Sequence, residues 1–137
     1  MRKKSICACL LLTSLFLVLG CGSNVKLKGR VTYSDDNSPL PVGMVCFETD
    51  NFSARGALNS DGYYTVGSLT DKDGLPKGTY RVHIASAEMG VPNEKGGPVT
   101  IIPLIDPKYK SPDTSGLVVE VTPSNRKFDF QVDRPGK

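Results

Sequence analysis

The chain has 137 residues, a length typical of one domain, with 14 glycines, 10 prolines and no tryptophan. Its 17 basic and 14 acidic residues give a formal net charge of +3, but Arg2, Lys3 and Lys4 belong to an N-terminal segment that we expect to be removed. Without those cations the chain is close to neutral, which argues against nucleic acid as a partner, because such binding needs a strong basic field.

The N-terminal segment has the parts of an export signal. Its cations precede an apolar run from Ile6 to Leu19, which is shorter than the roughly 20 residues of a membrane-spanning helix. The run closes with Leu17-Val18-Leu19-Gly20-Cys21, a sequence that resembles the lipobox of bacterial lipoproteins. We therefore predict a signal peptide over residues 1–20 and lipid attachment to the sulfur of Cys21. An ordinary signal peptide with a chance cysteine is the alternative.

The lipid would hold the protein at a membrane of the bacterial cell envelope. One acyl chain binds a bilayer only marginally, and the lipoprotein modification supplies more than one. No aspartate follows Cys21, which by the sorting rule of such lipoproteins favours the outer membrane over the inner one. Residues 21–24 would form a short lipidated tether, and residues 25–133 the folded domain.

Cysteine usage excludes a disulfide within the processed chain. Cys7 and Cys9 leave with the signal and Cys21 carries the lipid, so Cys46 remains as a single thiol. It lies in an apolar strand, where a buried thiol is expected to be inert. The fold must therefore be held by its apolar core.

Alternating polar and apolar residues predict short strands along the whole domain. The clearest strand spans residues 25–33, with Val25, Leu27, Gly29, Val31 and Tyr33 on one side. Others are predicted at residues 44–49, 53–58, 63–66, 79–84, 117–121 and 127–132, the last two as a C-terminal hairpin. Turns separate them, and no segment has the apolar period of a helix. Seven such strands predict an all-β fold, an antiparallel β-sandwich.

The two inward faces of such a sandwich supply a sizeable core. At roughly 1.5–3 kcal/mol for each large apolar side chain, its burial can offset the ordering of the chain without a disulfide. The side chains expected inside are Val25, Leu27, Val31, Phe47, Tyr64, Val66, Tyr80, Val82, Ile84, Leu117, Val119, Phe128 and Phe130.

One long stretch, residues 87–116, is rich in proline and glycine. An irregular connection of this length is unusual in a compact domain and often carries function. Within it, residues 99–105 (VTIIPLI) are apolar enough to pack against the domain. We predict an edge strand there, interrupted by Pro103.

Short motifs follow one another along the domain: Gly29-Arg30-Val31, then Pro39-Leu40-Pro41 with Val45-Cys46-Phe47, then Asp61-Gly62-Tyr63-Tyr64, then Pro76-Lys77-Gly78-Thr79-Tyr80-Arg81-Val82. Their order resembles that of carboxypeptidase regulatory-like, transthyretin-like domains. The overall plan is similar to small lipoproteins of planctomycete-type bacteria, including the segment Pro107-Lys108-Tyr109. The resemblance spans residues 25–132. It implies a seven-stranded transthyretin-like (prealbumin-like) sandwich that is not catalytic and that accompanies or displays other things.

Few residues point to catalysis or metal binding. His83 is the single histidine and is expected on the polar, exposed face of its strand. A hydrolase site around it would assemble only in space and stays open as a third hypothesis, although no local signature supports one. The turns at residues 35–37 and 71–74 hold neighbouring acidic side chains but lack the further oxygen ligands of a calcium loop. One histidine and one free cysteine cannot complete a zinc site, and we predict no catalytic residue, metal or cofactor.

We predict a lipid-anchored, non-catalytic interaction or structural module of the cell envelope. Its partners would be the membrane, through the lipid, and an unknown envelope protein or polysaccharide. The predicted contact surface is the 87–116 loop, with Glu94, Pro107, Lys108 and Tyr109 as candidate residues.

The alternative is a carbohydrate-binding accessory module at the cell surface. Such a module would stack sugar rings on exposed aromatic side chains. The candidate tyrosines for exposure are Tyr33, Tyr63 and Tyr109, and this alternative requires Tyr63 and Tyr109 to be exposed and to lie together.

Overall fold

A computed structural model describes residues 23–67 and 73–136. The strands in these two stretches are β1 (Lys28–Tyr33), β2 (Met44–Glu48), β3 (Ser53–Ala57), β4 (Tyr63–Thr65), β5 (Gly78–Ala85), β6 (Glu88–Val91), β7 (Thr100–Pro103), β8 (Leu117–Val121) and β9 (Phe130–Val132). A short 3₁₀ helix, Pro107–Lys110, lies between β7 and β8, and neither stretch contains an α-helix. The expected signal peptide, Cys21 and Asp71 lie outside the described residues.

The strands form two sheets and a separate two-stranded ribbon. One sheet has three strands in the order β4-β1-β9, and the other has four in the order β3-β2-β5-β8. Their apolar faces meet in one core, so the predicted all-β sandwich is confirmed. The two sheets together contain the seven predicted strands, and the described residues add two strands that were not among them, β6 and β7, which pair only with each other.

The alternation predicted for the first strand is confirmed. Val25, Leu27, Val31 and Tyr33 are buried, while the intervening side chains face outward. β1 pairs antiparallel with β4 and parallel with β9. The sandwich is therefore antiparallel everywhere except along the β1–β9 pair.

The predicted C-terminal hairpin is wrong. β8 pairs with β5 in the four-stranded sheet, whereas β9 pairs with β1 in the other sheet. The reason lies in the core: the ring of Phe130 is stacked with that of Tyr64, at 6.4 Å between centroids, and lies 6.4 Å from that of Phe47. Burying Phe130 between these rings requires the chain to cross from one sheet to the other after β8.

The core contains the side chains expected from the sequence. Phe47, fully buried, is its centre, with the rings of Tyr64 and Tyr80 at 6.1 and 6.4 Å between centroids. Three of the expected side chains are only partly buried at its margin, Leu117, Val119 and Phe128. Others that were not expected are fully buried, among them Leu40 and Leu75.

Gly29 leaves room for the Tyr64 side chain to cross β1 within the three-stranded sheet. That hydroxyl donates to the carbonyl of Phe128 at 2.7 Å, and its burial raises the pKa of Tyr64. A Cβ at position 29 would lie 1.7 Å from the Phe128 oxygen and 2.7 Å from the Tyr64 hydroxyl. No side chain fits there, so the close approach requires glycine.

The first described residues and the ribbon lie at opposite ends of the sandwich. Val25 pairs with Leu75, which precedes β5, whereas the ribbon follows the other end of β5 at Ala85. β5 has 8 residues, which is about 26 Å at 3.3 Å per residue. We call the end with Val25 the tether end and the end with β6 and β7 the ribbon end.

Candidate functional site

The ribbon, which consists of β6, β7 and the connecting residues 92–99, leaves the sandwich at a well-packed base. Ala87 and Ile105 bracket it and are fully buried, and the Leu104 amide donates to the Ala87 carbonyl at 2.9 Å. Above them, Lys110 Nζ lies 2.6 Å from Glu88 Oε1. The base is thus held by the core, a backbone hydrogen bond and an ion pair.

Both faces of the ribbon are apolar and open to solvent. Every residue of β6 and β7 is exposed, and the register pairs Met89 with Ile102. Because opposite residues share a face and neighbours alternate, Met89, Val91 and Ile102 lie on one face and Val99 and Ile101 on the other. Their exposed fractions run from 40% for Val91 to 58% for Ile101.

The tip of the ribbon is a polar turn. Asn93 Oδ1 accepts a hydrogen bond from the Lys95 amide at 2.9 Å, and the Gly96 amide donates to the Asn93 carbonyl at 3.0 Å. Glu94, one of the predicted contact residues, is exposed beside Lys95. The tip therefore carries one charge of each sign.

The prediction that residues 99–105 pack against the domain is wrong for most of this segment. Ile105 is fully buried and Leu104 partly buried, but Val99, Ile101 and Ile102 are exposed. The physical reason is that β7 pairs with β6 alone and has no opposing sheet. The predicted edge strand is thus one half of the ribbon, with Pro103 as its last residue.

The other predicted contact residues lie in the 3₁₀ helix at the ribbon end. Asp106 Oδ1 caps this helix by accepting from the Lys108 amide at 2.9 Å, and Pro107 occupies its first turn. The helix packs against β5. Lys108 Nζ lies 2.7 Å from Asp133 Oδ2, and the Tyr109 hydroxyl donates to the same oxygen at 3.1 Å.

Asp133 is the centre of this arrangement. Hydrogen bonds from Lys108, Ser34 and Tyr109 lower the pKa of its carboxyl group to about 2. The same contact with Asp133 is the main cause of a raised pKa for Lys108. The structure therefore gives Lys108 and Tyr109 a role in fixing the chain after β9, and Glu94 is the predicted contact residue that lies on the ribbon.

The expected exposure of the tyrosines is wrong for two of the three. Tyr109 is 7% exposed and Tyr33 is 4% exposed, whereas Tyr63 is 51% exposed. Tyr33 is covered by the guanidinium of Arg134, which lies 3.7 Å from its ring centroid. The carbohydrate hypothesis required Tyr63 and Tyr109 to form an exposed pair, and they do not, because Tyr109 is buried.

Tyr63 lines an open cleft between the edges of the two sheets. The cleft has a volume of about 590 Å³, and its lining includes Arg55, Asn59 and Thr65. The Arg30 guanidinium lies 5.0 Å from the Tyr63 ring centroid. This is the part of the sandwich that presents an accessible aromatic ring among polar groups.

The expected exposure of His83 is wrong. It is 9% exposed, and its Nδ1 is buried without a hydrogen-bond partner among the described residues. Its Nε2 lies 3.9 Å from Glu48 Oε1, and its cross-strand neighbour is Cys46. Residues near the 3₁₀ helix cover this face of β5; the Ser115 hydroxyl, for example, donates to the Val82 carbonyl.

Cys46 is buried, as expected for an inert thiol. It is 8% exposed and forms no disulfide. Burial raises the pKa of the Cys46 thiol, which keeps the group protonated near neutral pH and lowers its nucleophilicity.

The acidic turn at residues 35–37 is explained by an ion-pair cluster. Arg134 lies 3.2 Å from Asp35 and 3.1 Å from Asp36. Hydrogen bonds from Ser38 are the main cause of the lowered pKa of Asp36, about 2. In the parts of the chain that the structure describes, no group of three or more His, Cys, Asp or Glu side chains could hold a metal ion.

The described residues form no helix that is long and apolar enough to span a membrane.

The comparisons with known proteins give one distant structural likeness. No family model matches the chain, and no curated protein matches it. Among solved structures, the chain is similar to the major pilin subunit of Bacillus cereus, with 11% sequence identity and a TM-score of 0.48. The likeness covers 82% of this chain and 30% of the pilin. The sandwich assignment rests on the strands and core described above, and the carboxypeptidase regulatory-like resemblance stays a hypothesis.

Proposed function

We propose that the protein is a lipid-anchored, non-catalytic module of the bacterial cell envelope that binds a partner protein through its ribbon. The observation that carries the proposal is the exposure of large aliphatic side chains on both faces of the ribbon, Met89, Val91, Val99, Ile101 and Ile102. Exposed apolar groups concentrated in one place mark interaction sites on proteins of this size.

The ribbon has little to stabilise it by itself. A two-stranded hairpin is marginally stable in water unless a third strand or an opposing layer covers it. Its base is fixed by Ala87 and Ile105, but no other strand in the described residues pairs with β6 or β7. A partner surface would supply the missing layer.

The prolines of the ribbon favour contact through its faces rather than its edges. Pro98 and Pro103 lie at either end of β7 and Pro92 follows β6. Proline has no amide hydrogen and discourages the addition of a further strand. We therefore expect an apolar cleft in the partner that takes the ribbon between two walls.

The polar tip argues for a protein partner over insertion into a bilayer. Glu94 and Lys95 would enter the membrane first, and burying charged groups in hydrocarbon is strongly unfavourable. The ribbon also lies at the end of the sandwich away from Val25 and the predicted anchor.

The transthyretin-like, carboxypeptidase regulatory-like assignment is part of this proposal. It is supported by the structural roles of the motif residues. Gly62 takes a positive φ of 77° in the turn before β4, and Tyr64 enters the core two residues later. The Tyr80 hydroxyl donates to the carbonyl of Pro76, within the last motif, at 2.8 Å.

The test is in-cell crosslinking of the native lipoprotein, followed by membrane solubilisation and mass spectrometry of the crosslinked proteins. A Met89→Ser/Ile101→Ser variant removes one large apolar side chain from each face of the ribbon. Val118→Ser is the matched control, since Val118 is 63% exposed on β8, outside the ribbon. We expect one reproducible partner with the wild type and the control, and at least a tenfold lower recovery with the ribbon variant.

Equal recovery from all three proteins would contradict the proposal. Recovery of polysaccharide without a protein would favour the second candidate, a carbohydrate-binding module. The cleft beside Tyr63 is the observation that favours this candidate, and Tyr63→Ala should then abolish polysaccharide recovery while the ribbon variant leaves it unchanged.

A further inference from the structure

Basic side chains gather on the outer face of the three-stranded sheet near the tether end. Lys26 and Lys28 project outward before and at the start of β1, and Lys28 forms an isolated bridge with Lys127. Arg126 adjoins them, because its carbonyl accepts from the Lys28 amide at 3.2 Å. All four side chains are exposed.

These cations surround a cleft with no acidic group in its lining. The cleft has a volume of about 450 Å³ and is lined by the four basic residues with Leu27 and Thr65. Lys127 Nζ lies 3.1 Å from Asp129 Oδ2. In the described stretches, Lys26, Lys28 and Arg126 have no side-chain ion pair or hydrogen bond, so most of the positive charge is uncompensated.

The cleft lies close in sequence to the predicted lipid anchor. Lys26 directly follows Val25, and the predicted lipid on Cys21 is four residues before Val25. Four extended residues span at most about 14 Å. The anchor would therefore hold this cleft close to the membrane surface, at a distance comparable with the roughly 10 Å over which surface charge acts at 0.1 M salt.

We infer that the basic cleft binds the phosphate groups of anionic lipids in the membrane that holds the anchor. The inference rests on the proposed lipid anchor. Each cation near an anionic membrane surface contributes about 1 kcal/mol, which is about fivefold in occupancy. Binding at the cleft would orient the sandwich, with the tether end on the membrane and the ribbon directed away from it.

The test uses the native lipidated protein reconstituted in two kinds of vesicle. One kind is phosphatidylcholine alone, and the other is phosphatidylcholine with phosphatidylglycerol in a two-to-one ratio. An amine-acylating reagent labels exposed lysines, and mass spectrometry gives the rate at each position. Lys95, at the tip of the ribbon, is the internal control.

We expect labelling of Lys26, Lys28 and Lys127 to be about fivefold or more slower in the anionic vesicles, with no change at Lys95. Raising the salt to about 1 M shortens the screening distance to about 3 Å, so it should remove the difference. Lys28→Gln should weaken the protection of Lys26 and Lys127, whereas Lys95→Gln should leave it unchanged. Equal thermal stability of the two variants shows that neither acts through folding.

Equal labelling in the two kinds of vesicle overturns the inference. Protection by dissolved inorganic phosphate in neutral vesicles also overturns it, because the ligand would then be a soluble anion. Failure of the anchor is recognised separately: the intact mass would lack acyl chains and the protein would not float with neutral vesicles, which removes the basis of the inference.

Discussion

β5 and the ribbon that follows it contain the same kinds of side chain in opposite environments. Val82 and Ile84 in β5 are fully buried, whereas Ile101 and Ile102 in β7 are 58% and 44% exposed. β5 has neighbouring strands on both sides and an opposing sheet, while β7 pairs with β6 alone. The difference shows that residue type favours a strand, and that the presence of a second layer decides whether its side chains are buried.

Glycine substitutions should give the largest difference in lost stability between the sandwich, which contains Gly29 in β1, and the ribbon, which contains Gly90 in β6. A Cβ at Gly29 meets the Phe128 carbonyl oxygen at 1.7 Å, whereas at Gly90 it meets methyl groups of two exposed side chains, Val99 at 2.9 Å and Ile101 at 3.9 Å. We expect Gly29→Ala to lower the free energy of unfolding by about 4 kcal/mol or more, through overpacking and the lost Tyr64 hydrogen bond. Gly90→Ala should cost less than about 1 kcal/mol. Urea unfolding of both variants measures this, and equal losses would contradict the account.

Isoleucine-to-alanine substitutions should give the second-largest difference in lost stability between β5 and the ribbon. Ile84→Ala leaves a cavity in the core and should lower the free energy of unfolding by about 3 kcal/mol. Ile101→Ala removes an exposed side chain and should change it by less than about 0.5 kcal/mol. The measurement is again urea unfolding of the purified protein. A loss above 1.5 kcal/mol for Ile101→Ala would mean that the ribbon packs against the domain.

Two adjacent tyrosines test the hydrogen bond that crosses β1 within the three-stranded sheet. Tyr64→Phe removes the donor to the Phe128 carbonyl and should lower the free energy of unfolding by about 1–2 kcal/mol. Tyr63→Phe is the control, since Tyr63 is 51% exposed on the opposite face of β4. Thermal unfolding should show a lower midpoint for Tyr64→Phe and an unchanged midpoint for Tyr63→Phe. An equal decrease for Tyr63→Phe would mean that any tyrosine substitution in β4 destabilises the fold, and would contradict the role of this hydrogen bond.

Lowering the pH should produce the smallest change in stability, through two carboxyl groups at the ribbon end. The pKa values of Asp133 and Asp36 are lowered to about 2 in the folded chain, from 3.8. A lowered folded pKa gives stability that is present above the unfolded pKa and lost as pH falls. Stability should therefore decline between about pH 4 and pH 2. Asp133→Asn should flatten this decline, and an unchanged pH profile would contradict the assigned contacts.

The strands and most of the core could be predicted from the sequence. The alternation around Val31 identifies the buried side of β1, and the pattern around Val82 does the same for β5. These local signals persist because both strands have an opposing sheet. Phe130 shows the limit, since its predicted strand is real but its pairing with β1 depends on aromatic contacts distant in sequence.

The sites were less predictable because they depend on how segments meet in space. His83 falls on the polar side of its strand, yet it is buried since the residues before β8 cover that face of the sheet. Tyr109 is buried because its hydroxyl bonds to Asp133, 24 residues further along the chain. The outward-facing Lys26 and Lys28 indicated part of the basic cleft in the sequence. The cleft was not predicted, because the total charge of the processed chain is close to neutral and does not show where basic residues cluster.

Hydrogen exchange of the ribbon amides tests the central claim most directly. In the purified protein, we expect the amides of β6 and β7 to exchange at least a hundredfold faster than those of β5, because an uncovered two-stranded ribbon opens easily. In native membranes, which would contain the proposed partner, exchange of the ribbon amides should be tenfold or more slower, while that of the β5 amides stays unchanged. Equal exchange of the ribbon in the two preparations would contradict its role as the binding surface.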